Sequence, residues 1–489
     1  MTRRFFLIIF LILFIAGCGY KKDPKNNAVS AEDASRIKRL EMQLNSSADK
    51  GLIYIELGDI YRKNKQDDSA LEHYKKSIDF LSHKIPGYSK ILSLYYEKKE
   101  YDKLEEFVLN LSINKKNPDY LNLFLKLSDV YLNKRELKKY IGLLEELKKN
   151  FPENSGLTER LISAYLEAGE YYLAENMITA LMKKNNKDAA ALYFSAKYAN
   201  LLKKTEESKN LYKKIIELNV ENGKYQALAH KELGLINLNE HQYSEALNYF
   251  DKSSKYFTED SELFYLKGLC YFNLFNYIMA LENLNKSIEF DAANHNAHFL
   301  LAKVLIKHLK LYKEAVYNLD ELLTLFPENL EYLKMKADCL FVVENFSEAV
   351  ETYKRIVELD PVGIYAEESF LALGTINKKI DNKPSALKEY LAGAKYFPSN
   401  WQFYFNAANI FDDMGELEQS AGMYLKAIQL NPETNIIYIN LGNVYFKQKF
   451  YSKAASCYEY ALKLGKNPDA AYNLAIVEKI LNKSNKTEY

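Results

Sequence analysis

One spacing recurs through this chain and limits how it can fold: a small residue returns about every 34 positions, usually behind an apolar one. Gly58, Ser128, Gly234, Gly268, Ala302, Ala337, Gly374, Ala408 and Gly442 hold this place. The steps from Gly234 to Gly268 to Ala302, and from Gly374 to Ala408 to Gly442, are each 34 residues. A second small residue follows twelve positions on (Ala70, Ala174, Ala246, Ala280, Ala349, Ala386, Ala454), and a large one four beyond it (Tyr74, Ile178, Phe250, Leu284, Tyr353, Tyr390, Tyr458). Pro152, Pro327, Pro361, Pro398 and Pro432 close units. Such a period marks supersecondary units that stack, because no unit buries its apolar face alone. With 18 Gly and 10 Pro in 489 residues, helix breakers are scarce and the units are expected to be helical. Each should be two antiparallel helices, with small residues where the pair approaches and large Tyr, Leu and Phe between neighbours.

The pattern resembles the tetratricopeptide repeat, which carries an aromatic, Leu-Gly, Tyr, Ala, an aromatic and Pro in that order. Tyr438-Ile439-Asn440-Leu441-Gly442-Asn443-Val444-Tyr445 matches it well. The resemblance covers residues 51–481 and implies an all-α fold: a right-handed superhelical α-solenoid of about twelve helix-turn-helix units with a capping helix at 468–482. The units are expected in three blocks: five at 51–222, four at 227–363 and three at 367–467, with short insertions at 223–226 and 364–366 and a tail at 483–489. The fit is uneven. Leu92, Leu104, Tyr140 and Ile162 stand where small residues belong, and the unit from 295 carries one extra residue, putting Ala315 one place late.

The N-terminus follows different rules. Arg3 and Arg4 precede an apolar run from Phe5 to Ala16, too short for a typical membrane span and suited to a signal peptide. It ends in Ile15-Ala16-Gly17-Cys18, which resembles the lipobox of bacterial lipoprotein signal peptides. That resemblance implies cleavage of residues 1–17, a diacylglyceryl group on the Cys18 thiol and acylation of its new amine. Several acyl chains, palmitate among them, would anchor the chain stably. An ordinary secretory signal with an incidental Cys is the competing reading. Gly19 in place of Asp points to the periplasmic face of the outer membrane, with the cell surface and the inner membrane as alternatives. Within 18–50, a polar tether leads to Ser30 and Asp33, a helix N-cap pattern ahead of Ile37, Leu40 and Leu44 on one face.

Lys and Arg number 66 against 65 Asp and Glu, and losing Arg3 and Arg4 leaves a formal charge of −1. That balance offers no footprint for nucleic acid. There is no glycine-rich phosphate loop, HExxH, CxxC or nucleophile elbow, so no catalysis, cofactor, metal or small-molecule substrate is expected. His295 and His298 could supply half a metal site, but no Cys or carboxylate cluster joins them in sequence, and His298 sits where the repeat wants a packed aromatic. Cys270 and Cys339 occupy the same point two units apart, which argues against a disulfide; with Cys457 they are expected to act as small hydrophobes.

In this repeat family the first helices of successive units line a concave groove. Asn406, Asn440 and Asn473 precede the residue pair at the small position there, and Asn409 and Asn443 follow it. A column of amides, each with donor and acceptor, matches an extended peptide backbone. It is similar to the Asn ladder in the repeats of protein O-GlcNAc transferases, although no transferase domain is present. The alternative is that these Asn bond neighbouring units or water. Tyr193, Tyr265, Phe272, Phe299 and Phe405 are either apolar anchors for a partner or packing between units. The function expected is a membrane-anchored scaffold or adaptor of the bacterial cell envelope that binds envelope proteins or peptide segments. The alternatives are a repeat lipoprotein of a polysaccharide export apparatus and, more remotely, an enzyme whose His, Asp or Glu residues converge in a cleft.

Overall fold

The computed structural model describes residues 30–111, 116–218 and 223–484, which form 26 α-helices and no strand. Cys18, the apolar run before it and the tether to residue 29 lie outside the described residues. The chain divides into two compact units, up to Leu218 and from Asn219. The first unit holds helix Ala31–Gln43 and five helical hairpins between Lys50 and Glu217; the second holds seven hairpins between Lys224 and Leu464, then helix Pro468–Ser484. Within each unit every helix packs on its predecessor and its successor.

Local chemistry sets the joints. After the helix Tyr312–Leu325, Pro327 removes a donor and Asn329 caps the next helix, its Oδ1 accepting the Tyr332 N–H at 3.1 Å. Asn154, Asp188, Asp260 and Asn294 cap in the same way. Ser30 Oγ accepts from Asp33 N–H, and the helix it starts buries Ile37 and Leu40 against Ile53, Leu57 and Ile60.

Inside each hairpin the chain reverses through one residue with φ between +57° and +80°. Only two of these twelve residues, Gly169 and Gly415, are glycines; the others are Lys65, Lys99, Arg135, Lys203, His241, Phe275, Lys310, Glu344, Asp381 and Lys449. The next N–H reaches back five residues, as from Glu100 to the Tyr95 carbonyl and from Phe450 to the Tyr445 carbonyl, both within 2.9 Å. This closes the first helix with a left-handed cap that satisfies its last carbonyls.

The repeated small residues are where the second helix sits closest. A Cβ on Gly374 would lie 2.3 Å from the Tyr390 ring, and one on Gly58 2.4 Å from Tyr74. Where Leu92 and Leu104 replace small residues, both are fully buried all the same. The extra residue in the unit from 295 is absorbed as a π-helical turn over Val304–Leu309, after which Leu311 N–H reaches back six residues to Leu305.

Candidate functional site

In several repeats the residue after the small position is polar, and at Asp59, Asn409 and Asn443 it is met from two sides. From its own hairpin comes the large Tyr of the second helix: Tyr74 donates to Asp59 at 2.7 Å, Tyr353 to Asp338 at 2.6 Å, Tyr424 to Asn409 at 2.5 Å and Tyr458 to Asn443 at 2.8 Å. Burial pushes the Tyr458 hydroxyl up to about 12 and raises those of Tyr74, Tyr353 and Tyr424 as well, so all four stay protonated donors. From the following helix a side chain reaches back. Lys90 meets Asp59 at 2.6 Å and Arg160 meets Asp129, while Asn440 Nδ2 donates to Asn409 Oδ1 at 3.2 Å and Asn473 Nδ2 to Asn443 Oδ1 at 3.0 Å.

One geometric rule therefore carries two chemistries. In the first unit the column on the first helices is ionic, with Lys126 joining through Ser93; burial lowers the Lys126 ammonium below the usual lysine range. At the end of the second unit the column is built of amides. Asn406, Asn409, Asn440, Asn443 and Asn473 are all half-buried. The bonds above engage Oδ1 of Asn409 and Asn443 and Nδ2 of Asn440 and Asn473, so the other amide atom of each stands outside them.

Asn443 and Asn473 also line a cleft of about 280 Å³, together with Asp412, Phe446, Lys447, Tyr458 and Ile476. Lys447 Nζ holds both Asp412 oxygens at 2.7 Å on its rim. The cleft thus brings apolar side chains, neutral amides and an ion pair together. Asn406, Asn409 and Asn440 lie along the same column outside it. Sequence reasoning missed Asp412, Phe446, Lys447 and Ile476; the 35-residue separation of Asp412 and Lys447, one more than the repeat, is the signal that points to the pair.

Each aromatic candidate packs on side chains of its own unit. Tyr193 is 7% exposed and packs on Phe194 and Tyr212. Tyr265, Phe272 and Phe299 pack on the buried cluster around Leu284, Leu301 and Leu319, with the Lys303 ammonium 3.8 Å from the Phe299 ring centre. Phe405 lies edge-on to Trp401 and Tyr424. His298 is buried, its Nδ1 2.7 Å from Asn318 Oδ1 and its Nε2 3.2 Å from the Ala292 carbonyl, whereas His295 rests against the Phe326 ring. Among the described residues no group of His, Cys, Asp and Glu has metal-holding geometry, and no helix is long and apolar enough to cross a membrane. Burial holds the Cys270 and Cys339 thiols up at about 12 and Cys457 at about 11.

Comparison with known proteins agrees with the hairpins and their spacing. Tetratricopeptide-repeat family models match residues 52–80, 299–364, 408–449 and 436–468, and the model for anaphase-promoting complex, cyclosome, subunit 3 matches 239–322. The first four of these stretches of the chain are matched as tetratricopeptide repeats. The chain is similar to tetratricopeptide repeat protein 6 of Homo sapiens, 28% identical over 28% of this chain and 26% of that one. It therefore spans about a quarter of that relative's length. It is also similar to TPR repeat-containing protein MJ1428 of Methanocaldococcus jannaschii, 22% identical over 86% of this chain and 70% of the other. Among solved structures it is similar to YrrB, described as a TPR protein with an unusual peptide-binding site, at 21% identity and TM-score 0.34, covering 39% of this chain and 96% of that one.

Proposed function

We propose that this protein is a membrane-anchored scaffold of the bacterial cell envelope that binds peptide segments of other proteins along the first helices of its second unit and performs no chemistry of its own. The observation that carries the reading is the amide column ending in the cleft at Asn443 and Asn473, where fixed donors and acceptors lie beside Phe446 and Ile476. An extended backbone can bond the free amide atoms while a side chain meets those apolar residues. The sequence Ile15-Ala16-Gly17-Cys18 supports lipid attachment, and attachment raises the local concentration of the groove near envelope partners.

The test is cross-linking of the tagged protein in its own cells, followed by denaturing purification and identification of what is attached. The wild type is compared with a variant carrying Asn406→Ala, Asn440→Ala and Asn473→Ala, and with Cys18→Ser. A reproducible set of proteins that vanishes in the triple variant, with its helical content intact, supports the C-terminal groove. The same set retained there removes the groove from the reading. Membrane fractionation unchanged by Cys18→Ser removes the anchor. Recovery of export machinery alone would favour the polysaccharide apparatus instead.

A further inference from the structure

The hairpin tips of the second unit differ in one respect. Of the twelve left-handed turn residues, eleven are charged, His or Gly, and one is apolar: Phe275, with φ +59°. A bulky side chain in this region is strained, and packing gives little back, since Phe275 touches the Tyr277 ring only edge-on and is 77% exposed. Leu274 and Ile278 beside it are 38% and 50% exposed. The tip therefore presents three large apolar side chains outward on a backbone that would be easier to form with Gly or Asn.

The second local irregularity adjoins the first. The π-helical turn Val304–Leu309 places His308 face to face with Tyr277, ring centres 3.9 Å apart, and edge-on to Phe272. His308 is thereby fixed against the tip that bears Phe275, and Lys307 and Lys310 come with it. Between Asp291 and Asp320 the chain carries Lys303, Lys307, Lys310 and Lys313 against a single acid, Glu314. Lys307, Lys310 and Lys313 are exposed and have no ion pair among the described residues, while Glu282 on the neighbouring helix is engaged by Lys286.

We propose that Leu274, Phe275 and Ile278, rimmed by Lys307, Lys310 and Lys313, form a contact site for an anionic bilayer surface. An apolar protrusion enters the boundary between headgroups and acyl chains, and a rim of one sign of charge meets anionic headgroups there. A protein partner would call for acids opposite three unpaired lysines; an anionic membrane supplies them everywhere. The site stands on residues of the second unit and does not depend on Cys18. With the lipid anchor it would give the chain two points of membrane contact.

The experiment uses the full chain with Trp401→Phe, which removes the one tryptophan, and a reporter at the tip, Phe275→Trp. A second reporter, Tyr472→Trp, is placed on the final helix, where Tyr472 is 69% exposed. Each is mixed with phosphatidylcholine vesicles with or without phosphatidylglycerol, and with lipids brominated in the acyl chain. The expected result is a blue shift and loss of emission by the bromine quencher for Phe275→Trp with anionic vesicles alone, and no change for Tyr472→Trp. Adding Lys307→Gln, Lys310→Gln and Lys313→Gln should lower the docked-to-free ratio of the tip by on the order of a hundredfold. Emission of Phe275→Trp that stays unshifted and unquenched with anionic vesicles overturns the site, whether or not the protein floats with them; flotation without quenching leaves the Cys18 anchor standing. Equal quenching in purely zwitterionic vesicles overturns the role of the lysines.

Discussion

Replacing Gly374 by Ala should destabilise the second unit even though Ala is the better helix former. Propensity alone favours Ala by about 1 kcal/mol in a helix interior. Against that, the added methyl would stand 2.3, 2.5 and 2.6 Å from three atoms of the Tyr390 ring, where ordinary carbon contacts lie at about 3.5–4.0 Å. Tyr390 has little room to move: it is 2% exposed, in a cluster with Phe370, Ala386, Ala394 and Phe403. The helices Ala366–Lys379 and Lys383–Tyr396 must then separate, and overpacking of this kind costs about 1–3 kcal/mol. With the clash so close, the net loss should be about 1–2 kcal/mol. Gly422→Ala is the mirror case. It lies on the exposed face of helix Leu417–Leu430 with nothing within 4 Å of its Cβ position, so it should gain about 1 kcal/mol. Urea unfolding followed by far-UV circular dichroism and by Trp401 fluorescence measures both, the second signal reporting on one hairpin of an array that need not unfold all at once. A Gly374→Ala midpoint at or above wild type, or shifts of the same sign in both variants, would refute the steric account of the repeat.

Tyr353→Phe removes a 2.6 Å hydrogen bond to the Asp338 carboxylate and should cost about 1.5–3 kcal/mol. Tyr390→Phe removes only a 3.3 Å contact with the Thr375 hydroxyl and should cost about 1 kcal/mol or less, so equal losses in urea melts would contradict the geometry. The Cys270 and Cys339 thiols sit near 12 in the fold against an ordinary value of 9, so the folded state favours the protonated form. Their contribution is complete below pH 9 and drains away as pH rises towards 12; Cys270→Ala and Cys339→Ala should flatten that part of a stability profile, and an unchanged slope would count against it. Lys99→Gly relieves a left-handed backbone and should gain about 0.5–1 kcal/mol, while Gly415→Ala, at φ +80°, should lose about 1 kcal/mol; thermal melts of the two should move in opposite directions.

The hairpins were legible because their cause is local and periodic. The spacing from Gly374 to Tyr390 is a statement about which atoms meet, and it reappears in the structure as a contact. The late position of Ala315 likewise reappears as the π-helical turn before it. The left-handed tips were not legible, because Lys65, Lys99, Glu344 and Lys449 carry no mark of positive φ; the closing hydrogen bonds, not residue type, impose it. Nor could sequence decide what the column of Asn does. The pairs Asn409–Asn440 and Asn443–Asn473 span neighbouring helices, and only three-dimensional placement shows that half of each amide is already engaged. The aromatic set was ambiguous for another reason. A first helix in this repeat packs on both its partner and the next hairpin, so Tyr193 in the interior and Phe299 under a lysine share one sequence position.

The single-residue insertion confined to Val304–Leu309 bears on how such a chain changes length. In a sheet, one added residue would flip every later side chain to the wrong face. Here the register error is spent within one turn, and the helix Tyr312–Leu325 still buries Ala315, Leu319 and Leu322. Reading-frame-preserving insertions and deletions can therefore accumulate one repeat at a time without being matched elsewhere, so that neighbouring repeats diverge in length as freely as they diverge in composition.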